Sequence, residues 1–295
     1  GILTRTLVNP TTSFSNEYRA SFSNTFTGNL YAEYQFTDDL KFRVTGGANI
    51  TNGRNENLYN SLTRRGSGDN GVTGGISFSD RKDYSVDNVL TYDKKFNKNH
   101  RLTLTGVYSY QTNKSQNYGY SSTHIQNDYL GMAAIGAVLN SYSNTNSSNS
   151  TYRLQSFAAR ASYQMMGGRY IFGATIRADG SSKFAPGYRY GYFPAGSAAW
   201  RFTEEKFMKK QKLISSGKLR ASFGVVGNNR VNDFAYVSTI TQTTSIGPTY
   251  YGFGGLITDA NLSYYINVLG NERVKWESTR QIDFGLELGF LKDKL

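Results

Sequence analysis

The last strand-like stretch of the sequence constrains the fold most, because apolar and polar residues alternate along it. One set consists of Ile282, Phe284, Leu286, Leu288 and Phe290, and the other consists of Gln281, Asp283, Gly285, Glu287 and Gly289. A period of two is that of a β-strand, whose successive side chains point to opposite faces. Ten residues at ~3.3 Å each, tilted by ~45°, cover roughly 23 Å, close to the apolar band of an outer membrane. The pattern predicts a strand with the apolar set in lipid and the polar set facing a hydrated interior.

The same alternation recurs along the chain, in about nine stretches including this one. They cover residues 17–36, 42–50, 86–92, 102–110, 157–163, 170–176, 191–202, 219–225 and 282–290. Gly167 and Gly168 interrupt two of these runs, as expected for the turn of a β-hairpin. The sequence therefore predicts an all-β, antiparallel fold.

The composition excludes one class of membrane protein and leaves two classes of β protein. No window holds the ~20 consecutive apolar residues that a membrane-spanning helix needs, so a helical membrane protein is excluded. The 295 residues include 23 Tyr, 18 Phe and 31 Gly, and 38% are hydrophobic. A transmembrane β-barrel has this composition because only alternate residues meet lipid, although a soluble all-β protein would also fit.

The lengths of the predicted connections favour the membrane barrel. Short turns are expected near residues 37–40, 93–100, 165–169 and 203–217, and long loops at 51–83, 112–151, 179–190 and 226–275. Outer-membrane barrels have short periplasmic turns and long extracellular loops, whereas a soluble sandwich has no reason to keep this asymmetry.

The expected number of strands indicates part of a larger barrel. Bacterial single-chain barrels use even numbers of strands, and an open sheet in lipid would leave backbone groups without partners at both edges. We therefore interpret the chain as a segment of a transmembrane β-barrel, with residues 291–295 as the start of a further turn.

The charge pattern gives no support for binding of nucleic acid. The net charge is +12, but Lys and Arg are scattered, with clusters in the predicted turns at 94–101 and 206–212. Nucleic-acid binders concentrate these residues on one element. Solvated turns, or contact with anionic lipid head groups, explain the charge better.

Residues that could carry chemistry are few, and each has a simpler structural explanation. Residues 66–71 fit G-x-G-x-x-G but do not follow a buried strand of a βαβ unit. Both histidines lack neighbouring ligands, and the adjacent Glu204 and Glu205 would diverge in a turn. Asp179 most simply forms an Asx-type turn, with a calcium or ligand role as the alternative. We expect no catalytic residue, no metal site and no cofactor, and hence no enzyme.

Aromatic residues in the predicted loops are the candidates for substrate or partner contact, because flat rings stack on sugars and pack against proteins. These candidates are Tyr118, Tyr120, Tyr142, Tyr250 and Tyr251. Packing in the interfacial girdle or in a loop is the alternative, and it is favoured for Tyr188 and Tyr190. Tryptophan prefers the membrane interface, so Trp200 and Trp276 are predicted to be girdle residues.

Three motifs follow one another in the second half of the chain. The first is Arg-Ala-Asp-Gly-Ser-Ser-Lys-Phe at 177–184, with Gly-Tyr-Phe-Pro at 191–194 and Trp-Arg at 200–201. The second is Lys-Leu-Arg-Ala-Ser-Phe-Gly at 218–224 with Gly-Asn-Asn at 227–229, and the third is Lys-Trp-Glu-Ser-Thr-Arg-Gln at 275–281, leading into Phe-Gly-Leu-Glu-Leu-Gly at 284–289. Together they resemble the barrel signature of the SusC/RagA family of TonB-dependent outer-membrane transporters. Ala185 and Val226 depart from the usual residues of that family without affecting the assignment.

The resemblance implies active import of nutrients, oligosaccharides or peptides, across the outer membrane of a Gram-negative bacterium of the Bacteroidota type. In that family a barrel of about 22 strands encloses a plug domain, a SusD-like surface lipoprotein covers the mouth, and TonB pulls on the plug. Residues 1–295 are then expected to be part of the barrel domain, with the plug and the TonB box outside them. The implied partners are the lipoprotein, the TonB complex acting through the plug, outer-membrane lipid and the substrate.

A passive structural or adhesive outer-membrane barrel remains the alternative, because alternation alone would permit it equally well. An upstream plug with a TonB box would decide for the transporter. A soluble enzyme is less favoured, since it would need a catalytic constellation that the sequence does not show.

Overall fold

The computed structural model describes residues 9–208, 210, 213–242 and 264–290, most of them in β-strands. The strands are β1 (Glu17–Thr37), β2 (Leu40–Tyr59), β3 (Thr73–Asn97), β4 (His100–Ser122), β5 (Ser143–Met165), β6 (Tyr170–Ser181), β7 (Tyr190–Trp200), β8 (Ile214–Asn228), β9 (Thr239–Gln242), β10 (Tyr264–Val268) and β11 (Glu277–Phe290). Helix α1 spans Pro10–Ser15, and short 3₁₀ helices span Asp128–Ala134, Asn140–Tyr142, Met166–Gly168 and Phe202–Glu204.

A nine-stranded sheet contains most of the strands, in the order β1-β2-β3-β4-β5-β6-β7-β8-β11. The pairings β5–β6, β6–β7, β7–β8 and β8–β11 are antiparallel. Strands β1 and β11 are the edges of this sheet, so the sheet is not closed within the part of the chain that the structure describes. The prediction of an all-β fold with about nine barrel strands is confirmed.

None of the helices found in the described ranges combines the length and apolar character needed to cross a membrane.

Two of the predicted long loops were wrong, because they are largely strand. In place of a loop at 51–83, β2 continues to Tyr59 and β3 begins at Thr73. In place of a loop at 112–151, β4 continues to Ser122 and β5 begins at Ser143, so the Ser- and Asn-rich run lies in a strand. A strand whose two faces both meet water needs no apolar alternation, yet its backbone ladder can continue. Periodicity therefore underestimated the lengths of these strands.

The five connections between the first six strands alternate in length, as predicted. Residues 38–39, 98–99 and 166–169 form short turns, and residues 60–72 and 123–142 form longer connections. The next two connections do not follow this alternation. The β6–β7 connection at 182–189, which was predicted to be a long loop, is shorter than the β7–β8 connection at 201–213. The β8–β11 connection carries two short strands, β9 and β10, which pair in antiparallel fashion.

The chain divides into two compact units. The first consists of Gly1–Leu30, Gly46–Ser85 and Gln111–Thr151. Its strands are joined by polar pairs such as Ser21 Oγ to Asn55 Oδ1 at 2.7 Å and Thr27 Oγ1 to Asn49 Oδ1 at 3.0 Å. Its loops enclose a small apolar core of Leu58, Val72, Ile125 and Ala134.

The second unit consists of Tyr31–Thr45, Val86–Tyr110 and Tyr152–Leu295. It contains β6 to β8 and β11 and all three sequence motifs. The registers of these strands decide which side chains share a face, and they are the basis for the site described next.

Candidate functional site

Strands β5 to β8 and β11 form a wall with one face that is uncharged over three neighbouring rows of paired residues, and we call this part of the wall the apolar face. Phe284 lies opposite Ala221, which lies opposite Ala198, and the same row continues through Phe172 to Tyr163. The rows on either side have the same character. In these three rows the apolar face consists of Ala161, Tyr163, Met165, Tyr170, Phe172, Ala174, Gly196, Ala198, Trp200, Leu219, Ala221, Phe223, Ile282, Phe284 and Leu286. No charged side chain interrupts it.

The opposite face of the same strands is polar. Asp283 lies opposite Ser222, and Ser222 lies opposite Ser197. The Gln281 amide donates to Asp283 at 3.0 Å, while Lys218 and Arg220 lie 3.2 and 3.4 Å from Glu287. Hydroxyl, amide and charged groups of this kind hold water, so the face suits a hydrated interior.

The residues predicted to face lipid all lie on the apolar face of β11. Ile282, Phe284, Leu286 and Leu288 are exposed, with Phe284 83% and Leu286 57% accessible, whereas Phe290 is half-buried. A continuous surface of large exposed apolar side chains is unfavourable in water and favourable in hydrocarbon. Contact of these residues with lipid stays a prediction.

The first and third motifs meet around one tryptophan. The Trp276 ring centroid lies 5.5 Å from that of the fully buried Phe184 and 5.4 Å from that of Phe193. Its indole Nε1 donates to the Arg189 carbonyl oxygen at 2.8 Å. Such aromatic pairs contribute about 0.5–1.5 kcal/mol each beyond the area they bury. The packing therefore fixes the β6–β7 connection to the start of β11.

The second motif joins the same assembly through polar contacts. The Asn229 amide donates to Tyr152 Oη at 2.9 Å and to Ser181 Oγ at 3.5 Å. Lys183 Nζ donates to the Val231 carbonyl oxygen at 2.9 Å. We use the name motif cluster for Lys183, Phe184, Phe193, Asn229 and Trp276, which bring the three motifs together.

Asp179 corrects one expectation within the first motif. It is a buried residue of β6, and its two carboxylate oxygens accept hydrogen bonds of 2.8 and 2.7 Å from Arg177 Nε. Arg177 Nη2 also donates to Ser156 Oγ at 3.1 Å. The predicted Asx-type turn is wrong, because Asp179 lies within strand β6. Residues two apart in a strand share a face, so the Arg177 guanidinium and the Asp179 carboxylate lie side by side. The described ranges contain no group of three or more acidic or histidine side chains placed to hold a metal ion.

Glu205 organises the end of the wall where β6 and β7 meet the connection at 201–213. Its carboxylate accepts hydrogen bonds from Tyr170 Oη at 2.6 Å, Trp200 Nε1 at 3.2 Å and Arg169 Nη1 at 3.2 Å. The Tyr170 hydroxyl, with smaller contributions from Trp200 and Arg169, holds the pKa of Glu205 below its ordinary value. The carboxylate thus stays ionised and fixes two aromatic side chains at the edge of the apolar face.

The predicted contact tyrosines lie in different surroundings. Tyr118 and Tyr120 belong to β4, which corrects their assignment to a loop, and only Tyr118 is exposed. Tyr142 stacks on His124 at 4.1 Å between centroids. Tyr250 and Tyr251 lie outside the described residues. Roles in substrate or partner contact stay predictions for all of them.

Of the predicted girdle residues, Trp200 projects from the apolar face and Trp276 lies in the motif cluster. The contacts of Trp276 differ from those of a side chain that projects into a membrane interface, although its girdle role stays a prediction. The sequence revealed the three motifs but not that their residues contact one another in the folded chain. The only signal was their order along the chain, which carries no information on distance.

Comparisons with known proteins agree on one family. The family described as TonB dependent receptor-like, beta-barrel matches residues 3–295. TonB-dependent receptor P3 of Formosa agariphila is 30% identical over 282 residues, covering 92% of this chain and 26% of the receptor. TonB-dependent receptor SusC of Bacteroides thetaiotaomicron is 33% identical over 148 residues, covering 48% of this chain and 14% of SusC. The chain thus spans about a quarter or less of these relatives.

A solved structure shares the fold. The structure of the RagAB peptide importer in the closed-closed state superposes with a TM-score of 0.79 at 21% identity, covering 95% of this chain and 29% of the matched chain.

Proposed function

Because the chain belongs to the TonB-dependent receptor β-barrel family of the outer membrane of Gram-negative bacteria, we propose that it forms part of the wall of a transporter that imports oligosaccharides or peptides. The observation that carries the proposal is the register of β5 to β8 and β11, which separates an uncharged apolar face from a polar one. A wall of this kind suits lipid on one side and passage of a hydrated solute on the other.

The proposed partners follow from the relatives. SusC and the RagAB importer support a SusD-like surface lipoprotein at the mouth and energy supplied by TonB through a plug domain. Residues 1–295 would be part of the barrel domain of such a transporter. RagAB is a peptide importer, which supports peptides as one substrate class. Oligosaccharides are the other class, which the resemblance of the three motifs to the SusC/RagA family implies.

Uptake by the complete transporter tests the proposal. A strain that lacks the gene is complemented with the full-length protein and supplied with labelled oligosaccharides or peptides, in the presence and absence of TonB. We expect uptake of one of these classes that requires both the transporter and TonB. Uptake that persists without TonB, or no effect of the gene on either class, would instead identify a passive or adhesive barrel.

A further inference from the structure

The first unit contains a cleft on one face of β1 to β5, with a volume of about 490 Å³. This volume falls within the roughly 300–1,000 Å³ that is typical of sites for small ligands. We call the depression the polar cleft, because six uncharged polar side chains border it. They are Ser21, Asn55, Asn57, Ser77, Ser121 and Asn146.

Two glycines form the floor of the polar cleft. Asn57 lies over Gly75, so that a Cβ added to Gly75 would lie 2.9 Å from the Asn57 Oδ1. The Asn146 carboxamide lies over Gly119 still more closely. A glycine within a strand often marks a place where another group approaches the backbone. Both carboxamides therefore occupy space that a side chain would otherwise fill, on the face to which that side chain would point.

The polar cleft lies on the side of the strands opposite the large apolar residues. Within it, Ser21 donates a hydrogen bond to Asn55 Oδ1 at 2.7 Å, whereas the next residue, Phe22, is exposed on the other face of β1. The longer connections at 60–72 and 123–142 lie at the same end of the strands as the cleft. In outer-membrane barrels the polar face lines the interior and the long loops are extracellular. In that orientation an incoming solute meets the cleft early.

Several polar groups of the cleft are available to a ligand. Within the ranges that the structure describes, the side chains of Asn57, Ser77, Ser121 and Asn146 make no hydrogen bond with another residue. A carboxamide both donates and accepts hydrogen bonds, and so does a hydroxyl. These groups therefore match a ligand whose own groups also do both, as the hydroxyls of a sugar do.

The charged residues at the cleft already have partners. Arg19 forms an ion pair with Glu17 at 2.9 Å. The Glu56 carboxylate accepts a hydrogen bond from Tyr18 Oη at 2.9 Å, on the opposite face of the strands. The cleft thus offers no unpaired charge to an ionic ligand.

We propose that the polar cleft is a subsite for a neutral oligosaccharide, an inference that rests on the proposed function. A peptide would bring apolar side chains, which are recognised by pockets of their own. The other residues that border the cleft include Ala20, Ile76 and Tyr120, but a period of two directs their side chains to the opposite face. An oligosaccharide carries hydroxyls along its length and needs no apolar pocket.

Binding to the full-length transporter tests the subsite. The purified protein is dialysed against neutral oligosaccharides from partly hydrolysed starch, cellulose, mannan and galactan, and separately against a tryptic peptide mixture, and mass spectrometry identifies what is retained. We expect oligosaccharides to be retained. Calorimetric titration with the most strongly retained one should show binding weakened about threefold to tenfold in both Asn57→Leu and Asn146→Leu, because each substitution removes a neutral hydrogen-bonding group at nearly constant size.

Asn29→Leu is the matched control. Asn29 lies over Gly47 in the way that Asn57 lies over Gly75, with its Oδ1 2.8 Å from a Cβ added to Gly47, but it does not border the cleft. We expect this variant to bind as the wild type does. Heat-modifiable mobility reports whether each variant has folded.

Unchanged affinity in both cleft variants, or equal weakening in the Asn29 variant, would overturn the subsite. Retention of peptides alone, or of neither mixture, would overturn the assignment to oligosaccharides. Should the leucine variants fail to fold, Ser77→Ala and Ser121→Ala decide in the same titration. Uptake that requires TonB tests the proposed function independently, so a transporter that imports peptides would refute the subsite and leave import standing.

Discussion

Replacing Leu286 by Arg tests the two-faced wall most directly. Leu286 is the middle residue of the five apolar positions of β11, and its side chain is 57% exposed opposite Leu219. At a rise of ~2.3 Å per residue along the membrane normal, it lies roughly 10 Å from each end of the apolar stretch. A charge at this position would therefore lie near the middle of the hydrocarbon.

The expected cost of Leu286→Arg is about 2–4 kcal/mol, the range for a cation at the midplane of a barrel wall. This corresponds to a roughly thirty- to thousandfold change in the folding equilibrium. Ser222→Arg is the matched control, because Ser222 faces the other way and pairs with Asp283. The same guanidinium would there meet water and a carboxylate, and we expect a change below about 1 kcal/mol. Asp283→Asn should likewise be mild.

Urea titration of the full-length transporter in phospholipid vesicles measures these costs, with heat-modifiable mobility reporting the folded barrel. Equal losses of stability in Leu286→Arg and Ser222→Arg, or a larger loss in the Ser222 variant, would refute the assignment of the two faces.

Three further predictions concern the motif cluster and the turn end of the wall. Phe184→Ala should cost about 3–5 kcal/mol and speed proteolysis of the 182–189 connection, whereas the exposed Phe207→Ala should leave both unchanged. Lys183→Met removes the bond to a backbone carbonyl and leaves Asp233 without its cation, which should cost about 1 kcal/mol in the same titration and be restored in part by Lys183→Arg. Because the pKa of Glu205 is depressed in the folded state, its stabilisation is present at neutral pH and lost as the pH falls through that pKa. Glu205→Gln should therefore flatten the acid limb of the stability profile, and an unchanged limb would contradict the assigned bonds.

The observed strands are longer than the predicted ones, because an alternation of apolar and polar residues marks only part of a strand. Alternation appears only where one face meets an apolar medium and the other meets water. It located the crossings at Phe172 and Phe284 correctly, but it ended β2 and β4 too early, where most side chains on both faces are polar. The backbone hydrogen bonds between the strands continue there, but they do not require an alternation of side chains and so cannot be detected from the sequence pattern.

The sequence by itself determined the all-β class, the number of crossings and which side chains of the alternating stretches share a face, because these depend only on neighbours one and two positions away along a strand. Tertiary structure alone decided that Trp276 packs on Phe184 and that Lys183 reaches the segment after Asn229. It also placed Ala161, Ala174 and Gly196 side by side on the apolar face. Those contacts join residues far apart in the chain, and only the register between strands sets the distances between them.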